Sequence, residues 1–219
     1  MTDIPAAQPD TGYQFTNTWF EPNIPVWRQI VDGNKPQRIL EIGSFEGRST
    51  CWIIEACGAN GDVELACIDT WGGGIEHQSG AFREAAMSEV ETRFHHNIAI
   101  AIAKAAHRVE VRTCKDISSR ALAELIAESR PHPFDLVYID GSHQAPDVLT
   151  DAVMAFQLVK VGGVMIFDDY LWSMDRPGTQ DVLMMPKPAI DAFLNIFQRK
   201  TNIFTGAPLR QLYVRKIAD

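Results

Sequence analysis

The sequence is short of cysteine and has no cysteine motif. Its four cysteines, Cys51, Cys57, Cys67 and Cys114, form no Cys-x-x-Cys pair. That argues against a zinc site and for a reduced, cytoplasmic chain. No apolar run is long enough to cross a bilayer. The stretch Ile98–Ala103 is cut by Lys104, far short of the roughly 20 residues required. The start, Met-Thr-Asp-Ile-Pro-Ala, lacks the basic end and apolar centre expected of a secretory signal. Positive charge is in deficit: 20 Lys and Arg stand against 28 Asp and Glu, a net −8, which argues against a broad basic face for nucleic acid. There is no internal repeat and no low-complexity tract. What is present is an ordinary globular composition, 46% hydrophobic and 22% charged over 219 residues, enough to bury a real core.

Residues 1–20 are polar, with Tyr13, Phe15, Trp19 and Phe20 scattered among them. We read 1–35 as an arm or lid and 36–219 as a single domain. From Arg38 the chain alternates. Strands are expected at Arg38–Gly43, Val63–Asp69, Val109–Cys114, Phe134–Asp140, Gly163–Asp168, Asn202–Thr205 and Gln211–Lys216. Helices are expected at Glu46–Cys57, Ala81–Ala106 with a break near Asn97, Ser118–Glu128, Pro146–Val159 and Pro188–Arg199. Gly58 and Gly162 are natural helix stops, and Pro146 suits a first turn. Alternation of this kind implies crossover units, a mainly parallel sheet and helices on both faces. Only the last two strands are joined by a turn short enough for an antiparallel pair. In such sheets ligands bind beyond the carboxyl ends of the strands.

Those ends carry polar residues. The first runs Glu41-Ile42-Gly43-Ser44-Phe45-Glu46-Gly47, where two glycines let the backbone turn tightly beside a ligand. It is neither the three-glycine dinucleotide pattern nor a phosphate loop. The second ends at Asp69, an acid that can accept ribose hydroxyls. The fourth ends in Asp140-Gly141-Ser142-His143 and the fifth in Asp168-Asp169-Tyr170. Three carboxylates on neighbouring ends repel or take up protons unless a cation holds them, and carboxylate oxygens suit a hard ion such as Mg²⁺. His143, three residues past Asp140, is a candidate general base. His77, His95, His96, His107 and His132 have no such context.

With these residues in hand, the chain resembles the class I S-adenosylmethionine-dependent methyltransferases. Leu40–Gly47 is similar to their first motif, Glu-x-Gly-x-x-x-Gly, and Ile68-Asp69 to their ribose acid. The resemblance implies an α/β, Rossmann-like, doubly wound seven-stranded sheet, mainly parallel with a C-terminal antiparallel pair. It implies cofactor contacts from Glu41, Gly43, Ser44, Gly47, Asp69, Thr70, Asp116 and Asp140, with Asp116 in the adenine-binding segment. Tyr138–His143 with Phe167–Trp172 resembles the metal-dependent O-methyltransferases, the catechol and macrocin enzymes. Asp140 and Asp168 match the two metal acids of the catechol enzymes. Asp169 stands where those have Asn, and His143 where they have a basic Lys, as in the sugar-modifying branch.

The implied reaction is O-methylation of a small-molecule hydroxyl in a sugar, natural product or phenol. S-adenosylmethionine is the donor, Mg²⁺ or alternatively Mn²⁺ or Ca²⁺ sits on Asp140, Asp168 and Asp169, and Asp140 and His143 are catalytic. Trp71 and Trp172 are candidate pocket walls, and Tyr170–Pro186 reads as a specificity loop. No nucleic acid or membrane partner is expected. Relatives form dimers or larger assemblies, in which the arm can swap between subunits. Two other readings stay open: a metal-dependent hydroxylase or hydrolase on the same scaffold, and a non-catalytic cofactor-binding subunit.

Overall fold

A computed structural model describes residues 12–74, 87–128 and 133–219. The apolar strand runs form one sheet of seven strands: β1 (Arg38–Ile42), β2 (Val63–Asp69), β3 (Val109–Lys115), β4 (Phe134–Ile139), β5 (Val159–Phe167), β6 (Thr201–Ile203) and β7 (Leu212–Lys216). Their spatial order is β3-β2-β1-β4-β5-β7-β6. The pairs from β3 through β5 are parallel, and β7 runs antiparallel to both β5 and β6. The expected sheet is therefore present, with its order reversing between β1 and β4.

Among the described residues six α-helices cover it: α1 (Ile24–Asn34), α2 (Arg48–Gly58), α3 (Met87–Lys104), α4 (Ser118–Ala127), α5 (Ala145–Leu158) and α6 (Pro186–Ile196). Side chains alternate across a strand, so each strand feeds two cores. Ile39, Leu136, Tyr138, Ile166 and Tyr213 join α1, α2 and α3 on one face. Leu40, Val137, Ile139, Met165, Phe167 and Val214 join α4, α5 and α6 on the other.

Three departures from the sequence reading have physical causes. The first is α1, a regular helix inside the segment expected to be an arm. Pro25 sits in its first turn, where a missing N–H costs nothing, and Trp27, Ile30 and Val31 line one face and are buried. The second is α3, unbroken at Asn97. That side chain is fully buried and turns outward from the helix ladder: its Nδ2 donates to the carbonyls of Glu46 and Gln14, and its Oδ1 accepts from Gln14 N–H. The third is β5, which starts at Val159. The pairing with β4 shifts register between Phe134 and Leu136, so Gly162, at φ 87°, lies within the strand rather than stopping the helix. His77, His132 and the N-terminal end of the expected third helix (residues 81–86) lie outside the described residues.

Candidate active site

The reversal between β1 and β4 opens a crevice at the carboxyl ends. The ladder runs one residue past each strand: Gly43 N–H bonds Ile68 O at 2.8 Å, Asp140 N–H bonds Ile42 O at 2.8 Å, and Asp168 N–H bonds Ile139 O at 2.9 Å. The three strand ends are thus locked to each other. A cavity of about 1260 Å³ lies above them. Gly43 (φ 86°) is pressed so close to β4 that a Cβ would fall 2.0 Å from Asp140 O. Only glycine fits there. The glycine loop and the acid cluster therefore form one site.

Gly43, Ser44, Asp69, Thr70 and Asp116 line one half of this cavity. Asp69 already holds the loop: Oδ2 accepts from the backbone N–H of Ser44 at 2.9 Å and Phe45 at 2.8 Å, and Oδ1 from Trp71 N–H at 2.7 Å. A carboxylate offers about four lone-pair positions, so about one is left for a ligand. Trp71 returns its indole N–H to Phe45 O at 3.0 Å; it is a prop for the loop and is buried. Asp116 accepts from Ile117 N–H and pairs with Arg120, and the Thr70 hydroxyl accepts from Gly72 N–H at 3.1 Å.

Two of the expected cofactor contacts sit off the cavity wall. Glu41 is fully buried and does not line the cavity. It accepts hydrogen bonds from the hydroxyls of Ser44, Ser49 and Thr50, tying the loop to α2 from beneath. Burial raises its pKa, and those donors work against the rise. Gly47 also lies outside the cavity wall. Its φ of 78° and its closeness to Phe94, 3.0 Å from a would-be Cβ, give the loop its exit into α2.

The other half holds the acids. Asp140, Asp168 and Asp169 each present an oxygen within 4.8 Å of the others. Burial, then the neighbouring carboxylates, push Asp140 and Asp168 above the usual carboxylate range. Crowded, half-buried carboxylates in an all-oxygen set are what a hard divalent cation requires, so the residues fit one. His143 Nε2 lies 2.8 Å from Asp169 Oδ2, and its ring stacks on Trp172 at 3.9 Å between centroids. A carboxylate only accepts, so Nε2 carries the proton and Nδ1 has the lone pair. Nδ1 is buried.

The sequence reading missed several site residues. Trp19 and Phe20 of the N-terminal segment line the cavity. That segment is fastened to the glycine loop: Thr16 N–H donates to Glu46 Oε2 at 2.7 Å, and Arg93 Nε donates to Glu46 Oε1 at 2.7 Å. Asp151 also borders the cavity, 1% exposed, and among the described residues neither carboxyl oxygen has a partner within hydrogen-bonding geometry. Its place in α5 among apolar residues was the available signal. Burial pushes its pKa up to about 7, Asp147 adds to the rise and Ser118 opposes it. A carboxyl raised on folding holds its proton longer in the native state, so it lowers stability as pH climbs from about 4 to about 7. The span from 3.8 to about 7 corresponds to roughly 4 kcal/mol. Asp151→Asn should therefore gain Tm over the native chain as pH rises from 5 to 8 in EDTA. The fit of the amide adds only a constant offset. A Tm difference that does not change with pH would contradict this.

A family model described as a methyltransferase domain matches residues 40–170, the span from the first motif to the Asp168-Asp169 pair. The chain belongs to this methyltransferase domain family. A curated relative, the uncharacterized protein R132 of Acanthamoeba polyphaga mimivirus, is 38% identical over 131 residues, 60% of this chain and 50% of that protein. The chain thus spans about half the length of that relative. Among solved structures, an O-methyltransferase from Bacillus cereus in complex with SAH superposes with a TM-score of 0.60 at 17% identity, over 98% of this chain and 94% of that one. The O-methyltransferase TomG from Streptomyces achromogenes, involved in tomaymycin synthesis and solved with SAM, gives 0.57 at 19% identity, over 90% and 80%. At these identities the shared property is the methyltransferase fold. No helix among the described residues is long and apolar enough to cross a membrane.

Proposed function

We propose that this methyltransferase domain transfers the methyl group of S-adenosylmethionine to a hydroxyl of a small molecule, with a divalent cation, Mg²⁺ in the first instance, held by Asp140, Asp168 and Asp169. The observation that carries the reading is the contact of Gly43 with the Asp140 backbone, which joins a loop suited to the donor and an acid cluster suited to a cation in one cavity. The Bacillus cereus and Streptomyces relatives, solved with SAH and SAM, support the donor.

In this reading Asp69 gives its remaining lone pair to the ribose, Asp116 and Ile117 border the adenine, and Glu41 acts from below by holding the loop. Asn17, Thr18, Trp19 and Phe20 border the cavity and keep water from the sulfonium, whose charge disappears as the methyl leaves. When bound, the cation supplies positive charge that makes a nearby hydroxyl easier to deprotonate. His143 takes that proton on Nδ1, and the imidazolium is stabilised by Asp169 at Nε2. Nδ1 is buried, so an acceptor hydroxyl reaches it only after a local shift of the groups around the ring. The acceptor oxygen then attacks the methyl carbon in line, forming the C–O bond as the C–S bond breaks and S-adenosylhomocysteine leaves.

Calorimetric titration of S-adenosylmethionine and S-adenosylhomocysteine, first with Mg²⁺ and then with EDTA, tests the donor. Micromolar affinity for both is expected in either condition, and no binding would end the methyltransferase reading. In the same cell Asp69→Ala should weaken S-adenosylhomocysteine by about 10- to 100-fold, the loss of hydrogen bonds to a charged group worth roughly 1.5–3 kcal/mol. Unchanged affinity would remove Asp69 from the donor site. An acceptor screen with labelled methyl donor follows.

A further inference from the structure

A run of buried polar side chains leads from α1 to the acid cluster, and the proposed reaction leaves it without a task. Trp27, fully buried in α1, donates its indole N–H to Gln211 Oε1 at 2.8 Å. The Tyr213 hydroxyl donates to the same oxygen at 2.6 Å. An indole N–H only donates, so the orientation of the amide is decided: Oε1 faces these two groups and Nε2 faces the acids. Nε2 lies 2.8 Å from Asp168 Oδ2 and 3.3 Å from the Tyr138 oxygen. The Tyr138 hydroxyl reaches Asp140 Oδ2 at 2.9 Å and makes a shorter contact to Asp168 Oδ2. Asp168 Oδ1 accepts from Asp169 N–H at 2.7 Å.

The count of partners is informative. Both oxygens of Asp168 are held, so its carboxylate cannot turn about its own axis. One phenolic proton sits between oxygens of two different acids, linking a residue of the β4 end to one of the β5 end. The chain is packed among aromatic side chains, with the Tyr138 ring edge-on to Trp27 at 4.8 Å. Burying a hydroxyl and an amide there is costly unless each is used. A phenylalanine at 138 would fill the same volume without that cost.

We infer that Tyr138 and Gln211 are positioning residues that hold Asp140 and Asp168 at the spacing and orientation in which the pair takes a divalent cation, and that Trp27 fixes Gln211 for that task. This rests on the metal-dependent reading above. Partners behind metal ligands govern affinity because a ligand free to rotate must be ordered on binding.

The test is the affinity of the whole chain for Mn²⁺ alone, read from the loss of the free-ion paramagnetic resonance signal. S-adenosylhomocysteine affinity and Tm are measured beside it. Tyr138→Phe should bind Mn²⁺ about 10- to 100-fold more weakly, with an altered bound-ion spectrum and unchanged S-adenosylhomocysteine affinity. Gln211→Met, which removes the amide donors at similar length, should move the same readouts. Tyr138→Phe with native Mn²⁺ affinity overturns the inference. If that variant does not fold, Gln211→Met decides by the same comparison, and loss of fold in both would assign the chain to stability and also overturn it. Failure of the native chain to bind Mn²⁺ is a separate result: it removes the metal reading itself, and this inference with it.

Discussion

Asp140→Asn should lose about 100-fold or more in divalent-cation affinity and a comparable or larger factor in turnover, with S-adenosylhomocysteine affinity nearly unchanged. The backbone of residue 140 is what meets the glycine loop, through Gly43 and through its N–H to Ile42 O, and asparagine keeps both. The side chain loses one ligand oxygen to an amide NH₂ that cannot coordinate a cation, and losses behind the ligands alone cost 10- to 100-fold. The stability response has the opposite sign. Burial and the charges of Asp168 and Asp169 raise the Asp140 pKa in the folded chain, so the ionised carboxyl costs stability above the ordinary carboxylate range. In EDTA at pH 8 the variant should melt at or above the native temperature. On adding Mg²⁺ the native chain should gain Tm and the variant should gain little. Full activity of Asp140→Asn in excess chelator would end the metal scheme while leaving the donor site standing.

The strands themselves and the place of the crevice were legible because they depend on short-range signals: apolar runs in β1, β4 and β5, glycines at the first turn, and acids at the ends. The sheet and its antiparallel tail follow the expected pattern, and Asp140, Asp168, Asp169 and His143 meet at one place. What was not legible depends on partners far away in the chain. Glu41 reads as a ligand-facing acid in its motif, yet strand alternation turns it into the same face as Trp27 and Tyr138, where Ser49 and Thr50 of α2 enclose it. Asn97 reads as a helix breaker until Gln14, from the other end of the chain, meets it. Tyr138 reads as one more apolar strand residue, and only the arrival of Gln211 gives its hydroxyl a direction. Helix α1 carries an apolar stripe of the correct period, but the prolines at 22 and 25 and the scattered aromatics before it read as an irregular leader.

His143→Ala should lower turnover about 10²- to 10⁴-fold, the ordinary contribution of a positioned base, while cation and S-adenosylhomocysteine affinities stay near native. Alanine removes two things at once, because the imidazole both bonds Asp169 and stacks on Trp172. His143→Phe separates them. A phenyl ring keeps an aromatic surface against Trp172 but has no nitrogen, so a base role predicts that the phenylalanine and alanine variants are equally impaired. A role in holding the Trp172 loop predicts that phenylalanine restores much of the rate. Imidazole added to the alanine variant should recover part of the turnover in proportion to its neutral form, and the limb of the native pH–rate profile that reports the base should be missing from both variants. Because Asp169 touches both His143 and the cation position, the two acid-side variants are not independent. The double variant His143→Ala with Asp140→Asn should lose less than the product of the single losses, since a hydroxyl that no longer meets the cation has little proton to give to a base. Multiplying losses would mean that the two side chains act independently, and the scheme in which cation and base serve one hydroxyl would then fail.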